Sequence, residues 1–437
     1  MELSGGVDDV PVMFVTANVG TLFEMADVMM NIWMKEFLKS VTDRKPKFIA
    51  LHCQEIGGKK ATRESMAQAD AFVRDLFSHP EFREYDRARA FIDENFHDLE
   101  TFTALGSFYL AHRSYAKYNF GISNEMNLHL YLGSDIAVFS PTTRTFSTSE
   151  KVRFPMDLHP LAKGNRKGFL RTRWNIDGRT LDLINVHMFY DEDNLVAMET
   201  SPSQYTSARK LGLQHILNSL VASANGRGSS DVALFIFGDF NFRLDVHEVV
   251  KKLTENGIRQ ETMVNGINGL DHNGVADPPK ARVCFLDNVD LNKLILTIEK
   301  KLFDHHENHD YVFQLDNGKW LRTFDSELSA FPDIYEVEIG FAPSYPYVED
   351  IEKGQYFMKT RCPAWCDRVI MNENSWRTIN AHVPLEYGLI GSSVCMGDHK
   401  PVFLLCNLSQ HQSSPLSPSN GRSVVQETRT SSRNRPI

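Results

Sequence analysis

Asp239, Asn241 and Arg243 stand two apart in the run Asp231–Asp245, DVALFIFGDFNFRLD. In an extended chain, positions two apart share a face. The three would therefore line one side just beyond a buried strand, Val232–Phe237, with Gly238 breaking the run and Phe240 and Phe242 turned the other way. A carboxylate, an amide and a guanidinium held together at a strand end are costly unless they meet a polar ligand. Gly-Asp and Asn are also ordinary at a strand-to-turn exit, so this segment alone leaves both readings open.

Other apolar runs stop in the same way. Val12–Val19 ends in Thr16, Ala17 and Asn18, and Phe48–Cys53 delivers Gln54 and Glu55. Leu181–Val186 carries Asn185 and His187, Arg361–Met371 carries Asp367, and Cys395–Leu405 opens on Asp398 and His399 before its strand. Each is unremarkable singly: a strand-end Gln-Glu is usually surface, and a strand-end His is usually structural. Together they suggest one site along the edge of a pair of sheets. Oxygen and amide ligands without a cysteine set suit a hard cation, magnesium best. Magnesium with a His-Asp pair and a basic cluster points to hydrolysis at phosphorus.

The basic cluster is Lys163–Arg173, KGNRKGFLRTR, and no acid lies between Asp157 and Asp177. Arginine forks match phosphate oxygens and glycine allows close backbone approach, whereas a solvated strand face would carry the same charges. His305, His306 and His309 read as a solvated turn rather than a metal site, because no cysteine or carboxylate pattern frames them. Cys362 and Cys366 lack a second pair and read as structural thiols.

The elements that must position these groups alternate. Asp27–Ser40, Ala61–Phe77 and Ser203–Val221 have helical spacing, and Ala104–Ala111 and Tyr131–Phe139 read as strands. Val246–Phe303 looks mostly helical, interrupted by a Gly/Asn/Asp/Pro loop at 265–280, and Phe341–Tyr347 is a proline-aromatic loop. After Cys406 the chain is rich in Ser, Pro, Asn, Gln and Arg without apolar periodicity. The expected organisation is therefore a catalytic domain over 1–406 and a disordered tail over 407–437.

A length of 437 residues with 42% hydrophobic content suits a globular protein of one large or two smaller domains. The formal net charge of −9 argues against a general nucleic-acid binder, though not against an anionic substrate met by locally collected base. Six cysteines are too few for a disulfide framework, and a reducing cytoplasm is the natural setting. The acidic N-terminus does not read as an export signal, and no apolar run approaches the ~20 residues of a membrane span.

In chain order the motifs are TANV at Thr16, QE at Gln54, RKGFLRTR at Arg166, NVH at Asn185, GDFNFR at Gly238, PAWCDR at Pro363 and GDHKPV at Gly397. This series resembles the inositol polyphosphate 5-phosphatases, of the deoxyribonuclease-like, magnesium-dependent phosphoesterase superfamily. GDFNFR and PAWCDR separate that family from the superfamily's nucleases, and HCQE, NLVAMETSPSQY and CMGDHKPVF are most similar to its type I members. The resemblance implies an α/β four-layer sandwich, two packed mixed sheets with helices outside. It implies Glu55 as the main magnesium ligand, with Asn18 close by and Asp398 as a supporting group. Asp239 would activate the attacking water and Asn241 would help hold it. His399, oriented and kept protonated by Asp367, would stabilise phosphoryl charge, and His187 would contact the scissile phosphate. Lys167, Arg171 and Arg173 would face substrate phosphates. Tyr345, Lys359 and Arg361 match positions that recognise the neighbouring 4-phosphate.

Two departures narrow the expectation. Lipid-acting members usually carry a lysine where this chain has Pro346, and serine where it has Gly397, so the soluble inositol 1,4,5-trisphosphate and inositol 1,3,4,5-tetrakisphosphate are favoured. Type I relatives commonly end in a prenylation box. This chain ends Asn434-Arg435-Pro436-Ile437 with no cysteine after Cys406, so no such anchor is expected. Arg422, Arg429, Arg433 and Arg435 offer at most weak attraction to an anionic membrane, and a solvated tail is the simpler reading. The rivals are a lipid 5-phosphatase acting on phosphatidylinositol 4,5-bisphosphate, a nuclease of the same superfamily, and a silent inositol-phosphate-binding module.

Overall fold

The structure is a computed structural model. It describes residues 10–98, 100–115, 121–123, 128–130, 133–139, 145–146, 149–158, 166–176, 179–223, 232–264, 280–379 and 385–408. The strands are β1 (Val10–Asn18), β2 (Phe48–Gln54), β3 (Arg87–Asp93), β4 (Gly106–Ala111), β5 (Gly121–Ser123), β6 (Leu128–Leu130), β7 (Gly133–Phe139), β8 (Thr145–Phe146), β9 (Ser149–Arg153) and β10 (Gly168–Ile176). They continue as β11 (Arg179–His187), β12 (Ala233–Asp239), β13 (Gly257–Val264), β14 (Lys280–Asp287), β15 (Leu294–Glu299), β16 (Leu302–His305), β17 (Ile334–Glu336), β18 (Asp367–Asn372), β19 (Glu386–Leu389) and β20 (Val402–Leu408). The helices are α1 (Gly20–Glu24), α2 (Ala26–Arg44), α3 (Arg63–Ser78), α4 (Asn194–Glu199), α5 (Gln204–Ser223), α6 (Val246–Leu253), α7 (His309–Gln314) and α8 (Glu373–Thr378).

Two mixed sheets face each other. One has the order β19-β20-β1-β2-β4-β3-β7; the other has the path β17-β18-β12-β11-β10-β5-β6, with β9 also on β10. Strand alternation builds the layers. Val12, Phe14, Phe48 and Ala50 point inward to meet Leu181, Leu183, Phe235, Phe237, Val369 and Met371. The intervening Met13, Val15, Ile49 and Leu51 point outward to a core with Trp33 and Phe37 of α2 and Phe72 of α3. On the far side, Ile184, Val186, Leu234 and Ile236 pack with Leu213 and Ile216 of α5. Both faces are covered, which is why these strands read as continuous apolar runs.

The inner face is not apolar to its end. Along the same alternating positions it passes to Thr16 and Asn18 on β1, His52 and Gln54 on β2, Asn185 and His187 on β11, Asp239 on β12 and Asp367 on β18. β1 and β2 run parallel, as do β11 and β12, so their C-terminal ends meet at one rim. Beneath that rim, Gln54 Nε2 donates to Asn185 Oδ1 at 2.8 Å, and Asn185 Nδ2 donates to the carbonyls of Cys53 and Gly106 at 3.1 and 3.0 Å.

His52 lies deeper, its ring stacked 3.6 Å from Phe237, with Nδ1 3.2 Å from Phe237 O and Nε2 2.9 Å from Tyr109 Oη. Burial lowers its pKa to about 3. The unfolded chain binds this proton below its ordinary value near 6.5 and the folded chain does not, so stability falls as pH drops from 6.5 toward 3. Between pH 7 and pH 5 the expected loss from this one group is about 2 kcal/mol. Urea unfolding at the two pH values should show a difference smaller by that amount in His52→Gln; an unchanged difference would contradict the assignment.

The region 246–303 departs from the sequence reading. Among its described residues only Val246–Leu253 is helical, and the strands that follow form a separate antiparallel sheet, β13-β14-β15-β16. Val283, Phe285, Leu296, Ile298 and Phe303 face Val249 and Val250 of α6 and Trp365. β13 is exposed along almost its whole length, so it lacks the period-two apolar signal of a half-buried strand. The His-rich turn is also corrected: His305 and His309 are buried, and His309 Nδ1 accepts from His305 N at 3.2 Å. All six cysteines are free thiols. The last strand runs to Leu408, two residues past the expected boundary; the tail beyond, with Arg422, Arg429, Arg433 and Arg435, lies outside the described residues.

Candidate active site

The rim gathers the expected groups around Asp239, whose side chain is almost wholly buried. Its Oδ1 accepts from Asn241 N at 2.9 Å and its Oδ2 from Asn18 Nδ2 at 3.1 Å. The same Oδ2 lies 3.2 Å from His187 Nε2 and 4.0 Å from His399 Nε2. Gly238 does not break the strand, which continues through it to Asp239. A Cβ there would stand 2.0 Å from Val186 O, so only glycine allows β12 to lie against β11 at this point. Asn241 follows in the left-handed region (φ 51°), which asparagine tolerates.

His399 Nδ1 donates to Asp367 Oδ2 at 2.8 Å, and Ser344 Oγ donates to the same oxygen at 2.8 Å. The His399 ring lies 4.5 Å from the Tyr345 ring. Burial alone would lower His399, but the Asp367 and Asp239 carboxylates outweigh it and raise the imidazolium to about 9. Burial would likewise raise Asp239; His399, His187 and Lys167 together hold it well below the usual carboxylate range. His187 is lowered by burial and then by Lys167, whose ammonium contacts Nε2. Burial brings Lys167 itself down to about 8 against the pull of Glu55 and Asp239. The rim thus holds one strong anion between an imidazolium and a neutral imidazole.

Glu55 follows β2 with a left-handed backbone (φ 58°), a conformation that costs energy outside glycine and recurs at functional sites. A Cβ at Gly20 would stand 2.4 Å from Glu55 Oε2 and 3.4 Å from Asn18 Oδ1, so these two oxygens converge beside the one residue that leaves them room. Burial raises Asp398, with Glu349 and Glu55 adding to it against His399 and Lys59. Asp398 accepts from Thr21 Oγ1 at 3.0 Å and lies 3.6 Å from Lys59 Nζ. This all-oxygen convergence of carboxylates and an amide fits a hard divalent cation. Asp239, Asp367 and His399 offer ligand atoms within 4.8 Å of one another, and the Asp367 Oδ1 atom is buried without a hydrogen-bond partner.

Not every expected residue reaches the rim. Arg171 and Arg173 belong to β10, which runs away from the site. Their guanidinium groups bond Asp182 at 2.7 Å each, and Asp182 lies opposite Arg173, five residues back from His187, or about 17 Å along the strand. The reading of these two as substrate contacts is therefore not met by their placement. Of the same stretch, Lys167 reaches the site, Arg166 donates to the carbonyls of Gly58 and Lys59, and Lys163 lies outside the described residues. Lys359 Nζ is 2.7 Å from Asp304 Oδ1. Arg361 Nη1 donates to Lys300 O at 3.0 Å and Thr360 O at 2.9 Å, and its Nη2 to the carbonyls of Asp191 and Glu192 at 3.3 Å.

Two further residues join the site without having been assigned a role from the sequence. Arg243 Nη2 donates to Asn241 Oδ1 at 2.7 Å, and its guanidinium lies 4.5 Å above the Tyr345 ring. Its Nε and Nη1 are buried without partners. Since Asn241 Oδ1 is thereby occupied and Nδ2 donates to Met188 O at 3.0 Å, Arg243 fixes which end of the amide faces inward. Tyr190, half exposed, lies with its ring 5.4 Å from Lys167 Nζ.

Comparison with known proteins decides the family. The chain is 42% identical over 399 residues to human inositol polyphosphate-5-phosphatase A, covering 90% of this chain and 92% of that protein. The chain belongs to the inositol polyphosphate 5-phosphatases. It is also 34% identical over 420 residues to the Caenorhabditis elegans probable type I inositol 1,4,5-trisphosphate 5-phosphatase, covering 91% and 99%. Residues 258–405 match the Endonuclease/Exonuclease/phosphatase family 2. Among solved structures, a Cimex nitrophorin has the same fold, with a TM-score of 0.50 and 14% identity over 92% of this chain and 100% of that one. As a 5-phosphatase family member this chain is a phosphoric monoester hydrolase, and no described helix is long and apolar enough to cross a membrane.

One 5-phosphatase motif splits between chemistry and structure. In PAWCDR, Asp367 faces the rim, whereas Arg368 on the next position turns to the opposite face. There it donates to Glu336 at 3.1 Å and to Asp325 at 2.5 Å, all three nearly sealed from solvent. Breaking a buried ion pair by removing one partner costs about 3–5 kcal/mol. Arg368→Ala should therefore lower the unfolding free energy by that much, read in urea as a lower midpoint at unchanged slope; a variant with an unchanged midpoint would refute the structural role.

Proposed function

We propose that this protein removes the 5-phosphate of inositol 1,4,5-trisphosphate and inositol 1,3,4,5-tetrakisphosphate by magnesium-dependent attack of water at phosphorus, ending a calcium-releasing signal in the cytoplasm. The observation that carries this reading is the convergence of Asp239, His187, the His399–Asp367 pair, Glu55 and Asn18 at one end of the inter-sheet core. The relatives, an inositol polyphosphate-5-phosphatase A and a probable type I inositol 1,4,5-trisphosphate 5-phosphatase, agree with it.

Glu55 and Asn18 would hold the magnesium ion, with Asp398 supporting them. Bound there, the ion supplies charge neutralisation at the scissile phosphate and the leaving oxygen. Asp239, anionic at every physiological pH, accepts a hydrogen bond from the attacking water, aims it, and takes up its proton as the new P–O bond forms. Asn241, with its amide nitrogen directed by Arg243, donates to the water or to a phosphoryl oxygen. His399 meets the developing negative charge as an imidazolium, and Asp367 keeps its ring in place and charged. His187, neutral, contacts the scissile phosphate beside the Lys167 ammonium. Tyr345 would pack against the inositol ring side of the pocket with Lys359 and Arg361 behind it.

The substrate choice is supported by Pro346, which occupies the place of a lysine in lipid-acting members. Phosphate release with magnesium should be strong for inositol 1,4,5-trisphosphate, weak for short-chain phosphatidylinositol 4,5-bisphosphate, and nil for inositol 1,4-bisphosphate. Comparable or greater release from the lipid would overturn the substrate and favour the lipid 5-phosphatase reading; magnesium-dependent cutting of plasmid DNA would favour the nuclease.

A further inference from the structure

Most cations around the rim are already engaged. Lys59 binds Glu349 at 2.6 Å, Lys359 binds Asp304, and Arg361 spends its forks on backbone carbonyls. A ligand with several phosphates meets Lys167 at the scissile group, yet its remaining phosphates need positive charge elsewhere.

The turn between β15 and β16, Glu299-Lys300-Lys301-Leu302, is pinned to the segment that bears Lys359 and Arg361. Asn194, buried at the start of α4, is the clasp. Its backbone N–H donates to Lys300 O at 3.1 Å, and its Nδ2, with two hydrogens to share, lies 3.1 Å from Glu299 O, 3.0 Å from Leu302 O and 3.0 Å from Thr360 O. Arg361 Nη1 bonds the same Lys300 carbonyl, and Phe303 N donates to Lys359 O at 2.9 Å. These bonds hold the turn against residues 359–361. Three residues after Arg361, Ala364 exchanges backbone hydrogen bonds of 2.9 and 3.2 Å with Tyr345, whose ring lies beside that of His399. Lys300 and Lys301 are both exposed, and among the described residues neither ammonium has an ion-pair or hydrogen-bond partner. The separate sheet β13–β16 thus presents two uncommitted positive charges on a turn held against the segment that bears Lys359 and Arg361.

We propose that Lys300 and Lys301 form an anion subsite that takes a phosphate of the substrate remote from the scissile one, and so help to set specificity. The proposal deepens the function proposed above and rests on it. The chemistry recognised is a phosphate monoester or diester, which a free inositol polyphosphate or a lipid headgroup would each supply.

Because exposed charge pairs contribute up to roughly 1 kcal/mol each, Lys300→Ala/Lys301→Ala should raise KM for inositol 1,4,5-trisphosphate about tenfold at low salt, with kcat within about twofold. The rise should shrink as salt screens the wild-type attraction. Lys293→Ala, which removes a lysine of the same sheet paired with Glu307 at 2.7 Å, should leave KM unchanged. A higher KM for the soluble trisphosphate and for monomeric short-chain phosphatidylinositol 4,5-bisphosphate assigns the subsite to ring phosphates. A rise confined to anionic vesicles containing that lipid assigns it to the headgroup surface. Unchanged KM in every arm overturns the proposal. Calorimetric titration of Asp239→Asn protein with inositol 1,4,5-trisphosphate reads the subsite without turnover: the added double substitution should weaken binding about tenfold by the same arithmetic. An unchanged Kd there overturns the subsite whether or not the wild type proves to be a phosphatase, whereas weakened binding without phosphate release would leave the subsite standing and remove the proposed function.

Discussion

Asp239→Asn is expected to reduce phosphate release by about 10³- to 10⁴-fold while the protein still unfolds cooperatively. The carboxylate is the one anion that touches Asn18, Asn241 and His187 and faces His399, so its loss removes both the proton acceptor for the water and the charge that organises the rim. The amide keeps the shape and the acceptor oxygen for Asn241 N–H. It cannot take a proton, and it withdraws the charge that helps raise His399. The residue closes the polar end of β12 rather than the apolar core, so folding does not depend on it. Phosphate release and urea unfolding measured on the same preparation separate the two effects. A variant that keeps a tenth of its turnover would remove Asp239 from the chemistry, and one that loses its cooperative transition would make its role structural.

The second large effect is expected at the His399–Asp367 pair. His399→Ala should cost about 10²- to 10³-fold in kcat, the scale of losing one group that stabilises transition-state charge. Asp367→Ala should cost less, because His399 remains present but is less well oriented and less fully protonated. The informative variant is the double one. If Asp367 acts only through His399, the double variant should be no slower than His399→Ala alone, since groups that act as a unit are not additive. Additive losses would show that Asp367 contributes separately, for example as a ligand through its unpartnered oxygen.

The rim was legible in the sequence because strand alternation is a local property. Asn18, His187 and Asp239 are inward positions at the ends of strands whose apolar runs announce them, and Asp367 opens β18, which pairs antiparallel with β12 and so lies opposite Asp239. Glu55 was legible as a strand-end acid, but its left-handed backbone was not. Arg171 and Arg173 were misplaced because charge density was read without register. Ile176 pairs with Arg179 around Asp177-Gly178, a two-residue hairpin composition, and counting back from it sets Arg173 opposite Asp182. The same count places both guanidinium groups beside the Asp182 carboxylate, away from the rim.

The sheet β13–β16 was hidden for a different reason. Exposed β13 and short β16 carry little periodicity of their own, and their state is decided by pairing with β14 and β15, tens of residues away for β13. Arg243 and Arg368 show a third limit. Both sit in motifs with carboxylates that face the rim, yet one guanidinium is aimed at the site and the other is buried in an ion-pair triad.

The most direct test of the account is to convert inositol 1,4,5-trisphosphate with magnesium in ¹⁸O-labelled water and identify both products. Attack of water at the phosphorus of the 5-phosphate predicts inositol 1,4-bisphosphate without label and inorganic phosphate carrying one ¹⁸O. Absence of release, loss of a phosphate from another ring position, or label retained on the inositol hydroxyl would contradict it.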